Sequence, residues 1–241
     1  MTLLANPSHR LIRVEARLRG GVSMDRPYGL ELSAILATQA YRLRKADAAS
    51  LGRRAASDAD DEDPEDFDLP LARCLAGDDW YWASTCAQPD VDPEDAPESR
   101  TYFQTVATAH ARDFALRPMP EVYARKGSYR DVMMPSSITL ASTLTWFAVG
   151  DPAAIMKMLR TVRSIGRRRS IGEGVVLGWS AVEIEGDPWR TMHLGRGHEL
   201  LRPVPVSVAE GLGVDYRLGA YAIRPPSWNP NRLMEMAMAD D

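Results

Sequence analysis

The chain has 241 residues, 45% of them hydrophobic and 26% charged, with a net charge of −4. This is ordinary for a soluble globular protein and long enough for one large domain or two small ones with a real core. No apolar run approaches the roughly 20 residues needed to cross a bilayer, and the opening Met1–Pro7 is too short and too soon interrupted for a secretory signal, so a cytoplasmic protein with no membrane contact is expected.

The net charge conceals an asymmetry. Between Ser57 and Glu98 stand fifteen acidic residues and one basic residue, Arg73, so the rest of the chain carries about +10. An acidic insertion on a basic body is the electrostatic footprint of a polyanion binder. Arginine supplies 26 of the 29 basic residues.

Residues 12–19 alternate apolar and charged side chains, the period of a half-buried strand, and Gly20-Gly21 ends it. Residues 30–45 put Leu32, Ile35, Leu36 and Leu43 on one helical face, with Arg42, Arg44 and Lys45 at the end that favours cations. The run 58–66 has no apolar face and reads as a mobile loop or as a shield over basic surface. Residues 80–86 read as a short aromatic strand. Cys74 and Cys86 have no metal-ligand spacing; a disulfide is open to them, and buried free thiols are expected.

Residues 101–134 interleave Arg112, Arg117, Arg125, Lys126 and Arg130 with aromatic residues, among them Tyr123 and Tyr129. Such a segment can grip phosphates while stacking bases, or can pack its aromatics on the body as a long loop. Residues 138–149 predict one strand, ended by Gly150. Asp151-Pro152 is a helix start, and Ile155, Met158, Leu159 and Val162 follow at helical spacing. Residues 175–184 predict the next strand.

Between that helix and that strand lies Gly166-Arg167-Arg168-Arg169-Ser170-Ile171-Gly172-Glu173-Gly174. Three guanidiniums among three glycines suit a sugar-phosphate backbone: glycine permits tight turns and close approach, and arginine offers a planar fork of donors. An ordinary solvated turn is the bland alternative. The element order is strand, helix, strand, strand, helix, strand, so the expected fold is α+β with a ferredoxin-like (RRM-like) βαββαβ core over residues 1–185. Residues 57–98 form an acidic, Pro-rich insertion, and residues 186–241 a C-terminal extension of short strands and turns. The aromatic signature of the ordinary RNA-recognition motif is absent. Met234, Met236 and Met238 either seat against a partner or belong to a frayed tail.

Four stretches carry a family resemblance: Gly150-Asp151-Pro152, residues 165–174, Gly127-Ser128-Tyr129-Arg130, and Arg224-Pro225-Pro226-Ser227-Trp228. In this order the chain resembles the RAMP superfamily of CRISPR-associated proteins, and within it the type IV effector subunits that cap the five-prime end of the guide RNA. The resemblance implies an RNA-binding, non-catalytic subunit of an effector ribonucleoprotein, with a thumb-like insertion at roughly residues 88–137 that reaches over the RNA. Its partners would be the guide RNA through the repeat-derived handle, the backbone filament subunit and the large subunit, with target nucleic acid engaged indirectly. The implied RNA contacts are Gly166, Arg167, Arg168 and Arg169, then Ser170, Gly172 and Gly174, and, outside the loop, Lys126, Tyr129, Arg130, Arg224 and Trp228. Members often carry Gly-Tyr-Gly where this chain has Gly172-Glu173-Gly174; a glutamate there is expected to repel phosphate and to leave RNA to the arginine side.

Some relatives cut precursor RNA without metal, which makes a metal-independent endoribonuclease the alternative. Its general base would come from His193 and His198, which flank Gly195-Arg196-Gly197, itself similar to a second phosphate-friendly turn. A turn with two structural or exposed histidines is the plainer reading. No HExxH, Walker or dinucleotide pattern is present, so no metal and no cofactor is expected.

Overall fold

A computed structural model describes residues 2–24, 28–50, 66–91, 96–104, 132–227 and 229–239. Four strands form the central sheet: β2 (Arg10–Leu18), β5 (Gln88–Pro89), β8 (Thr143–Gly150) and β9 (Val176–Glu183). They lie in the order β5-β8-β2-β9, and every neighbouring pair is antiparallel. Taken in chain order this is fourth, first, third, second. One helix, α1 (Leu32–Ser50), joins the first strand to the second; another, α2 (Pro152–Leu159), joins the third to the fourth. The fold is α+β.

Alternation decides which face is covered. Ile12, Val14 and Ala16 share one face with Leu144, Trp146 and Ala148, and all are fully buried under the helices. Leu32 and Leu36 of α1 and Ile155 and Leu159 of α2 complete this core. Asp151 caps α2 by accepting from the Ala154 amide at 3.0 Å, with Pro152 at the first helical position. Leu43 does not share the buried face of α1: it is half exposed, because the helix runs on past the core.

Two predicted strands are broken in the structure. Residues 138–149 are not continuous: β7 (Val132–Ile138) ends, and β8 starts at Thr143. Between them Thr139 pairs with Val22, and the Asp90 carboxylate accepts from the Ser142 and Thr143 amides at 2.9 and 3.0 Å. The aromatic stretch 80–86 also divides. β4 (Asp79–Trp82) pairs with β3 (Arg73–Ala76), which pairs with β1 (Thr2–Leu4) in a separate sheet. Residues 83–90 then run along the edge of β8, so β5 is little more than a rim.

The second half of the insertion at 57–98 is therefore structural, with Leu71, Cys74, Tyr81 and Trp82 buried. Both cysteines are free and buried; burial pushes the Cys74 thiol up to about 12 and also raises Cys86. The acidic residues 58–65 lie outside the described residues. The thumb-like segment begins inside the central sheet, at β5; its remaining described part is a two-stranded arm, β6 (Glu98–Gln104) paired antiparallel with β7. Lys126, Tyr129 and Arg130 are outside the described residues.

Residues 186–241 hold more than strands and turns. Two helices, α3 (Pro188–His193) and α4 (Val206–Leu212), precede and interrupt a sheet of β10 (Val204–Pro205), β12 (Leu233–Met238) and β11 (Arg217–Ala222). Asp187 accepts from the Trp189 amide at 2.9 Å, the same Asp-Pro start used by α2. The alternating methionines sit in β12, where Met236 is fully buried, so they are neither a frayed tail nor a free surface. Met192, Val204, Val208 and Met236 make a second core with Leu11 and Val149 from the other face of the central sheet.

A salt link ties the two cores together. Arg202, fully buried, reaches Glu31 at 3.1 Å and donates to the carbonyls of Trp82 and Ser84 at 2.6 and 2.7 Å. Ser33 Oγ donates to the same Glu31 carboxylate at 2.7 Å. A buried charge pair is tolerated when its remaining hydrogen-bond capacity is met, as it is here.

Candidate nucleic-acid interface

The arginine loop is held beneath the segment that follows β2. The Arg167 amide donates to the Ser23 carbonyl at 2.8 Å, and the Gly174 amide to the Gly21 carbonyl at 3.0 Å. The loop closes on itself where the Ile165 amide meets the Gly174 carbonyl at 2.9 Å. Two glycines make this possible. Gly166, at φ +80°, would put a Cβ 2.6 Å from the Ser23 carbonyl; Gly174, at φ +63°, would put one 1.9 Å from the Ile165 carbonyl. Between them Arg169–Ile171 form one 3-10 turn, entered through Arg168 in the left-handed region at φ 60°. Gly172 closes that turn in open space.

The turn throws the arginines outward. Arg167 and Arg169 are exposed and Arg168 is half-buried, its Nη1 3.4 Å from the Met134 sulfur of the arm. Together with Arg42 of α1 they line a groove of about 970 Å³, whose other wall is Pro135, Ser136 and Ser137 of β7. Ser23, Met24, Ser164, Gly166 and Ser170 complete the lining. Four arginines and five serines line this space, and no carboxylate among the described residues does. The sequence signalled the loop but not the wall: Arg42 reads as a helix-end charge, and the serines of β7 carry no motif.

Glu173 turns away from the groove, against the expectation that it repels phosphate. Its carboxylate is buried and pairs with Arg100 Nη1 of the arm at 2.8 Å. The Tyr102 hydroxyl donates to the same oxygen. Arg100 also grips Glu98 through Nε and Nη2 at 3.0 and 3.1 Å; bonding to Glu98 and then Glu173 raises the guanidinium pKa further. Burial, followed by the Glu173 contact, raises the Tyr102 phenol. Glu173 thus fastens the arm to the loop, and its charge is met within the protein. Ser23 Oγ and Ser136 Oγ, 3.2 Å apart, add a second tie.

The C-terminal candidates behave differently. Arg224 is engaged with Asp66 at 3.2 and 3.3 Å and with Asp79 at 3.5 Å, and it stacks on Trp80 with 4.6 Å to the ring centroid. Arg232 joins the same Asp66 at 2.8 Å. Arg224 is therefore an anchor for the end of the acidic run, not a member of the groove lining; Trp228 lies outside the described residues.

The two histidines are in unlike places. His193 is fully buried in the second core. Its Nδ1 lies 2.6 Å from the Trp189 carbonyl and must carry the proton; its Nε2 accepts from the Tyr81 hydroxyl at 2.8 Å. Burial, aided by the Arg202 charge, lowers its pKa to about 4. His198 stands on an exposed turn at φ 66°. The Gly195–Gly197 turn is filled by the Glu199 side chain: a Cβ on Gly195 would lie 1.8 Å from its Oε1. No group of three or more His, Cys, Asp or Glu side chains among the described residues could hold a metal ion, and no described helix is long and apolar enough to cross a membrane.

An antiparallel α+β body with an arginine groove beside a two-stranded arm is accompanied by a match to a family of CRISPR-associated proteins of type IV. The family model, described as CRISPR type IV associated protein Csf3, matches residues 10–239, and the chain belongs to that family. No curated protein matches the chain.

Proposed function

We propose that this chain is a non-catalytic RNA-binding subunit of a cytoplasmic type IV effector ribonucleoprotein. In this reading it is a RAMP protein whose central sheet, ordered fourth, first, third, second, is a ferredoxin-like core. The groove holds the five-prime repeat-derived handle of the guide RNA, and the subunit caps the backbone filament beside the large subunit, meeting target nucleic acid only indirectly.

The observation that carries the reading is the groove: Arg42, Arg167, Arg168 and Arg169 face serine hydroxyls across a space that no described carboxylate enters. Guanidinium forks and hydroxyls are the common donors to phosphate and sugar oxygens. What weighs against RNA cleavage by the histidine pair is the burial of His193, with both ring nitrogens engaged.

The test replaces Arg167, Arg168 and Arg169 together by alanine and measures affinity for single-stranded RNA over a range of salt. Each lost phosphate contact should flatten the log–log slope by about 0.7, so the triple variant should lose about 2. An unchanged slope refutes the assignment.

A further inference from the structure

Beside the groove, and sharing Arg42, Ser164, Gly166 and Arg169 with it, lies a smaller pocket of about 190 Å³. Its walls are mostly apolar, with Leu30 and Ile35 from the start of α1 and Val162 and Ile165 from the segment leading into the arginine loop; Thr38 and Glu31, whose carboxylate is paired with Arg202, line it too. Gln39, buried, stands at its polar side, with Nε2 donating to Thr161 Oγ1 at 2.7 Å. A second observation concerns the backbone. Among the described residues three non-glycine positions have positive φ: Leu30, Arg168 and His198. Leu30 is the bulky apolar one, and a left-handed conformation is costly for it. The Trp146 indole holds it there by donating to the Leu30 carbonyl at 2.7 Å. Two of the three strained positions thus line the groove or its side pocket.

We infer that the pocket receives one nucleobase, turned out of a single strand whose phosphates lie on the adjoining arginines. The space admits one base and not a stacked pair, its aliphatic walls suit a π-face, and the Gln39 carboxamide can meet a base edge. The inference rests on the RNA-binding reading above and adds to it a single-stranded ligand with at least one unstacked base. A duplex, whose bases are paired and stacked, could offer the groove its phosphates but nothing to the pocket.

The experiment uses the full chain with two probes, a short oligouridylate and a short oligoadenylate, and with the same oligomers carrying one abasic ribose at successive positions. Affinity should fall about tenfold when the abasic site occupies one particular position and much less elsewhere, near the low end of what one base seated on side chains contributes. Ile35→Trp, which fills the pocket, should cause a similar loss with intact RNA, leave the salt slope unchanged, and remove the sensitivity to the abasic position. If Ile35→Trp does not fold, the abasic series on the natural protein decides alone. A flat series, or an Ile35→Trp protein with full affinity, overturns the pocket while leaving the groove in place. Failure of both oligomers to bind at low salt, or a salt slope indifferent to the triple arginine replacement, overturns the RNA-binding reading itself.

Discussion

Arg202, Arg224 and Arg232 all end on acceptors of the protein: Glu31 and main-chain carbonyls for the first, Asp66 for the other two. The arginines at 42 and 167–169 gather around a groove that no described carboxylate lines. The residue type is the same, and its surroundings divide the roles. Where carboxylates are supplied at matching positions, a guanidinium joins segments that are distant in sequence. Where no described carboxylate lines the space, the same residue type borders a groove sized for a ligand. Glu173 sharpens the contrast, since it stands inside the arginine loop yet spends its charge on Arg100, away from the groove.

Arg202→Leu leaves Glu31 buried without its partner and should cost about 3–5 kcal/mol of stability in urea unfolding; adding Glu31→Leu should recover much of it. A small effect would mean that the pair is not the tie between cores. At the groove the expectation reverses. The Arg167, Arg168 and Arg169 triple alanine variant should unfold within about 0.5 kcal/mol per site of the natural protein while its RNA salt slope falls by about 2.

Next comes the arm. In a double-mutant cycle, Glu173→Gln and Arg100→Ala should show a coupling of about 1 kcal/mol in stability. Each single variant should weaken RNA binding a few-fold without changing the salt slope, because neither side chain lines the groove. A slope that drops with Arg100→Ala would make it a phosphate ligand instead. Arg224→Ala should cost about 1 kcal/mol and leave the slope alone; a fall of about 0.7 would return it to the RNA contacts.

A pH dependence is also expected. His193 is held neutral, with its pKa lowered from 6.5 to about 4, so the unfolded chain takes up a proton that the folded one refuses. Its contribution to stability is therefore complete above about pH 6.5 and lost as pH falls towards 4. Against His193→Gln, the natural protein should lose more stability over that interval, measured as the difference between the two urea midpoints.

The sequence made the central sheet readable where one side of a strand faces water: residues 12–19 alternate, and Asp151-Pro152 announces α2. It was silent where tertiary contacts override a local pattern. Residues 138–149 are a continuous run of strand formers, and only Asp90, some 50 residues earlier, breaks them at Ser142. The acidity of residues 57–98 hid the buried positions Leu71, Cys74, Tyr81 and Trp82, the last three of which lie in the β3–β4 hairpin. Asp187-Pro188 carries the same start signal as Asp151-Pro152 and could have found α3, which its brevity concealed. At the site, the glycine spacing exposed the loop, but its partners come from α1 and the arm, and no spacing rule links Arg42, Ser136 or Arg100 to it. Arg224 illustrates the converse: a motif marks a residue, and only the fold reveals that Asp66 already holds it.

The second core has a consequence for handling the protein. Leu11 and Val149 share it with Met192, Val204 and Met236, so both sides of the junction near residue 185 contribute to one interior. A protease cutting there would sever the chain without parting the pieces: the two fragments should elute together from a sizing column and separate only in denaturant, and the shorter one expressed alone should be insoluble until the longer is supplied.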